Sequence, residues 1–247
     1  MKKLSLCILI FLSFPASAAL AEGPYVGMVP VDNQKLQAVN RNKDSSSFRP
    51  ISSWVGERFI FLPKQTALQR FGYQNFQIGD DLYEFPSYNE YVGKIAKVIS
   101  LQEVCNHWDV ELEMDDNGQR VSASARSGGI DGVAPVADIE DARNRWLGKT
   151  LWYKKTWLER YNEDTGEVYS VHIRKNSQVK VIDIRAGWKH ATPVRFILQT
   201  ATGKEGYIDM AWSGTNCNDY DRRYCDTFEA SFFTQDPAKF SKLAKKL

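Results

Sequence analysis

The sequence predicts a mainly β protein made of two tandem small β-barrels and closed by a short C-terminal helix, on three observations. Apolar and polar residues alternate with a period of two, most strictly in Trp108-Asp-Val-Glu-Leu-Glu-Met114, where one face is apolar and the other acidic. Aromatic residues make up 13% of the chain and β-branched residues are frequent, a composition that suits strands better than helices. The stretch from Arg145 to Met210 reads as a second copy of Trp54 to Val121.

The repeat is visible as a set of offsets. Trp54, Gly56, Phe59 and Phe61 match Trp146, Gly148, Leu151 and Tyr153, each 92 residues later. Lys97-Val-Ile matches Lys180-Val-Ile at 83, and the turn glycines Gly118 and Gly203 are 85 apart. Val110, Leu112 and Met114 are expected to match Val194, Phe196 and Leu198 at 84. The offset shrinks because the loop after the first strand is shorter in the second copy.

From the start of the chain, Met1-Lys-Lys precedes an apolar run from Leu4 to Phe14, too short to span a bilayer comfortably, and small residues follow at Ala16-Ser-Ala and Ala19-Leu-Ala21. Residues 1–21 are therefore expected to be a secretory signal peptide rather than an uncleaved anchor, and the mature protein to be periplasmic or secreted. Residues 22–50 are polar, with Asn40-Arg-Asn-Lys-Asp-Ser-Ser-Ser near their end, and read as a flexible lead-in. The first module is expected over 51–122. It opens with the strand around Phe59 and Phe61, makes a long aromatic excursion from Lys64 to Glu90, and closes with a hairpin turned at Asp116-Asn-Gly118. A Gly/Ser/Ala-rich stretch then predicts a linker over 123–144, with one short helix from Val136. The second module is expected over 145–235, with Thr227-Phe-Glu-Ala-Ser-Phe-Phe as an added strand. Asp236-Pro237 caps a predicted helix over 236–247.

The second copy resembles bacterial SH3-like modules. Val179-Lys-Val-Ile-Asp-Ile, the hairpin strand Val194-Arg-Phe-Ile-Leu-Gln-Thr and the phrase Gly203-Lys-Glu-Gly-Tyr-Ile-Asp carry the likeness over about residues 146–212. The first copy has Gln119-Arg-Val-Ser-Ala-Ser in place of the last phrase. The resemblance implies small closed barrels that bind peptides or cell-wall fragments without catalysis. It also implies a ligand groove flanked by the loops that carry Trp157, Tyr161 and Trp188.

Removal of residues 1–21 leaves 30 basic and 30 acidic residues, which argues against a nucleic-acid partner, since phosphate binding needs a basic excess on one face. No later segment is apolar enough for stable membrane insertion. Three cysteines follow the signal. Cys217 and Cys225 bracket a short polar loop and are the natural disulfide pair, which leaves Cys105 as a buried small hydrophobe, an intermolecular bridge, or a partner for one of the other two. A cysteine hydrolase would need Cys105 beside His107, His172 or His190, and none of these stands in a nucleophile motif. Neither the Cys105–His107 pair nor the Asp219, Asp221 and Asp226 group has metal-site spacing, and no cofactor motif is present. The expected function is that of a non-enzymatic binding module for a peptide, cell-wall fragment or envelope protein. The alternatives are a hydrolase using Cys105 and a structural subunit of an envelope assembly.

Overall fold

The computed structural model describes residues 50–79, 84–125, 129–212 and 227–237. The expected signal peptide, nearly all of the lead-in, the Cys217–Cys225 bridge and the tail helix beyond Pro237 lie outside these residues. The described chain is mainly β and forms two sheets, one of them curled into a half-barrel.

The first sheet contains β1 (Arg58–Phe61), β2 (Phe76–Ile78), β3 (Ile95–Val104), β4 (His107–Met114), β5 (Arg120–Ala125) and β6 (Val133–Pro135), in the spatial order β2-β5-β4-β3-β1-β6. The alternation in β4 works as the sequence requires: Val110, Leu112 and Met114 are buried, and the acids between them are not. Gly118, at φ +70°, donates its N–H to the Met114 carbonyl and turns the chain into β5.

The second sheet contains β7 (Thr150–Tyr153), β8 (Trp157–Asn162), β9 (Glu167–His172), β10 (Ser177–Lys189), β11 (Thr192–Thr200), β12 (Glu205–Met210) and β13 (Phe232–Phe233), in the order β13-β7-β10-β11-β12-β8-β9. All pairings in both sheets are antiparallel. Without β9, the second order reads β13-β7-β10-β11-β12-β8, the reverse of the first with like strands in like places. Registers agree as well. Arg58, Phe59 and Ile60 face Lys97, Ala96 and Ile95; 92 and 83 residues later, Thr150, Leu151 and Trp152 face Lys180, Val179 and Gln178. The irregularity between Val98 and Ser100 in β3 recurs between Val181 and Asp183 in β10. Val98 lies opposite Leu112, and Val181 opposite Leu198. The position matching Leu112 is thus Leu198, and Val110 matches Phe196, at an offset of 86 rather than the expected 84. A slip of two residues keeps every side chain on its own face, so alternation alone does not detect it.

Two apolar cores result. One gathers Phe59, Phe61, Tyr73, Phe76 and the inner residues of β3 to β5; the other gathers Leu151, Tyr153, Leu158, Val181, Phe196, Ile208 and Phe232. Phe76 and Leu158, on the strands that pair with β5 and β12, are both fully buried. Strand β1 serves both cores, since Phe59 and Phe61 face the first while Ile60 and the following Leu62 face the second. The helix Val136–Trp146 adds Ile139 and Ala142 to the second core, and its Arg143 Nε donates to the Ile184 carbonyl at 2.6 Å.

Several expectations need correction. Of the stretch 123–144, Ala123–Ala125 finish β5 and Val133–Pro135 form β6 beside β1, so both ends of the glycine-rich part of the expected linker are strand. Within the aromatic excursion, Phe76–Ile78 forms β2. The stretch 227–233 is not one strand. Thr227 accepts the Ala230 N–H and starts a helical turn, Phe228–Ser231, and only Phe232 and Phe233 pair with β7. Cys105 is exposed at the β3–β4 turn, with φ +53°, and is not a buried hydrophobe; the chain reverses at Cys105-Asn106, which takes the side chain out of the strand's inward alternation.

Candidate functional site

Alternation along β11 sends Val194, Phe196 and Leu198 into the core and places Arg195 on the outer face, where a charged side chain ordinarily meets water. Arg195 is nevertheless only 7% exposed. Asp209 stands directly opposite on β12, and its carboxylate takes both arms of the guanidinium, Nε to Oδ1 at 2.6 Å and Nη2 to Oδ2 at 2.7 Å. Two rings flank the cation, Trp188 with its centroid at 4.1 Å and Tyr207 at 3.8 Å. Gly187 makes room for this packing, because a Cβ there would lie 2.5 Å from the Thr192 carbonyl oxygen and 3.3 Å from the Asp209 carboxyl carbon.

Tyr161, on β8, completes the cluster. Its ring meets Trp188 edge-on at 4.8 Å, and Trp188 meets Tyr207 edge-on at 5.7 Å. The Tyr161 hydroxyl accepts the Thr66 backbone N–H at 3.0 Å and lies 2.5 Å from the Thr66 Oγ1, so a turn from the first sheet's excursion braces it. Burial pushes the Tyr207 phenol well up; Arg195 opposes that shift, while Glu159, directly across on β8, and Asp209 add to it. The phenol therefore stays protonated near neutral pH.

Beside the cluster, His190 Nδ1 lies 3.0 Å from Asp131 Oδ1, and Asn75 donates to Asp131 Oδ2 at 2.9 Å. The His190 hydrogen bond, the Asn75 hydrogen bond and the nearby Lys64 hold the Asp131 carboxyl below the usual range against some desolvation. Burial in turn lowers Lys64, whose ammonium donates to the Gly72 carbonyl at 2.6 Å and sits 4.8 Å from the Tyr73 ring centre.

The structure brings Tyr161 and Trp188 together. Trp157 shares their side of β8 but lies at its far end, opposite His172, with Lys155 over its ring at 5.2 Å. All three are half-buried. Arg195, Tyr207 and Asp209 are the members sequence reasoning missed, although Arg195 and Asp209 sit at facing positions of a hairpin whose turn was legible. Arg195 already fills the slot between Trp188 and Tyr207, so a ligand at this cluster would have to use the half-buried remainder of Trp188 and Tyr161. Cys105 is remote from this cluster in the strand order, and the histidine nearest to it in sequence, His107, pairs with Asp109 at 3.2 Å. Among the described residues no cluster of three or more His, Cys, Asp or Glu is placed to hold a metal, and no helix is long and apolar enough to cross a membrane.

No protein-family model, curated protein or solved structure matches this chain.

Proposed function

We propose that this is an exported, non-enzymatic binding protein that recognises a peptide, cell-wall fragment or envelope protein through the aromatic cluster of its second sheet. The observation that carries this reading is the half-buried Tyr161–Trp188 pair, anchored from beneath by the buried Arg195–Asp209 pair and held from the side by Thr66. Half-buried rings fixed in place lose little freedom on binding, which favours recognition. We also read the two sheets as tandem copies of one SH3-like barrel. Support comes from their shared strand order, their matching registers and the irregularity repeated 83 residues on.

The test is co-sedimentation of the purified chain with isolated cell-wall sacculi, alongside Trp188→Ala. Retained folding with binding lost in the variant supports the reading; equal pelleting of both forms, or of neither, removes the cluster as a wall-binding site. A hydrolase using Cys105 is the competing reading, favoured by that thiol's exposure and by the nearby His107–Asp109 pair. Alkylation of Cys105 decides between the two: loss of a hydrolytic activity on envelope material would replace binding with catalysis.

A further inference from the structure

A pocket of about 310 Å³ lies at another part of the second sheet, between the chain leaving β9 and the turn that joins β11 to β12. Its charged lining is of one sign. Arg174 and Lys204 border it, His172 lies beside them, and among the described residues no carboxylate lines it. Among the described residues neither Arg174 nor Lys204 has an ion-pair partner. Lys204 is held at the rim by its hydrogen bond to the His172 carbonyl at 3.4 Å. Thr200 closes the turn beneath it, its hydroxyl accepting the Lys204 N–H at 3.0 Å and donating to the Lys204 carbonyl at 3.2 Å.

A second observation points the same way. Ser177, in the pocket wall, has its hydroxyl buried with no hydrogen-bond partner among the described residues. A buried donor without an acceptor is unfavourable, and an acceptor in the pocket toward which the Ser177 side chain rotated would satisfy it. Two cations with an unsatisfied hydroxyl beside them favour an anion over a cation or a neutral group. The pocket exceeds what a bare anion fills, and Ile173 and Ala201 give it apolar wall.

We propose that this pocket binds the C-terminal residue of a peptide, with its free carboxylate against Arg174 and Lys204, the Ser177 hydroxyl donating to it, and a small apolar side chain against Ile173 and Ala201. The site is separate from the aromatic cluster and does not depend on it.

The experiment is an amide NMR titration of the purified chain with N-acetyl-alanyl-alanine, its C-terminal amide, and inorganic phosphate. The free acid is expected to shift the amides of Ser177 and Thr200–Lys204 in a saturable way, and the amide form to bind about tenfold more weakly. Arg174→Ala and Lys204→Ala should each weaken the acid by about threefold to tenfold, Lys204→Arg should retain it, and Trp188→Ala should leave it unchanged. Equal binding of acid and amide, shifts away from these residues, or no shift at all overturns the proposal. Phosphate binding as tightly as the peptide acid also overturns it, since the pocket would then read charge alone.

Discussion

On the outer face of the first sheet Asp109 stands opposite Ser124, and both are exposed; at the same place on the second sheet Arg195 stands opposite Asp209 and is buried under two rings. Farther along β4, Glu111 and Glu113 lie near Arg120, at 3.4 and 3.9 Å, in partly solvated pairs of the kind that contribute little. The pairing frame is alike in the two sheets, so the frame does not decide where a ligand would bind. What differs is the chemistry on a face that the fold leaves free to vary. Binding sites are set by side chains placed on a scaffold and not by the scaffold itself.

The sharpest way to break the comparison is to remove the buried cation. Arg195→Ala leaves Asp209 beneath the rings without its partner and is expected to destabilise by about 3–5 kcal/mol. Asp109→Ala, at the matching place on the first sheet, should stay within about 0.5 kcal/mol. Urea unfolding of both variants measures the difference, and equal losses would mean that the two faces do the same job. A smaller effect is expected at Gly206, which matches Val121 of the first sheet. A Cβ at Gly206 would lie 2.6 Å from the Leu158 Cβ and 2.8 Å from the Glu159 carbonyl oxygen. Gly206→Ala should therefore cost about 1–3 kcal/mol by overpacking, read as a lower thermal midpoint. Val121→Gly should also destabilise, by the opposite cause, leaving a hole between β5 and Ile78.

The smallest effect is set by pH. The folded Asp131 carboxyl is held below its ordinary value of 3.8. Its contribution is therefore complete above that value and is lost as pH falls through the lower, folded one. Because the side chain is 66% exposed, screening keeps the gain below about 1 kcal/mol. Asp131→Asn should lower stability slightly at pH 6 and converge with the parent in strong acid, as acid titrations of the two would show. A gap that widened toward low pH would reverse the assigned sign.

Much of the architecture was written in local pattern. The β4 alternation, the glycine turn at Gly118 and the 92- and 83-residue offsets all reappear as hydrogen-bond registers. What escaped were features without a period to read. Strands β2 and β13 have three and two residues, fewer than one full alternation needs to stand out. Tyr161 and Trp188 were legible as ring candidates for a site, but nothing in the sequence singled out Arg195. Its burial follows from Trp188 and Tyr207 folding over it, a contact between three strands that no single stretch of sequence announces. Cys105 was misjudged because a turn begins one residue beyond the end of β3.

Strand β1, with one face in each core, bears on how the protein can be cut. A fragment starting at the second sheet would lack Leu62 and Ala134 and fold around a hole, while a fragment ending at β6 would carry both side chains into water. Halves prepared for separate study would each inherit the other's damage, so gene-level dissection of this chain has to keep β1 and β6 with both.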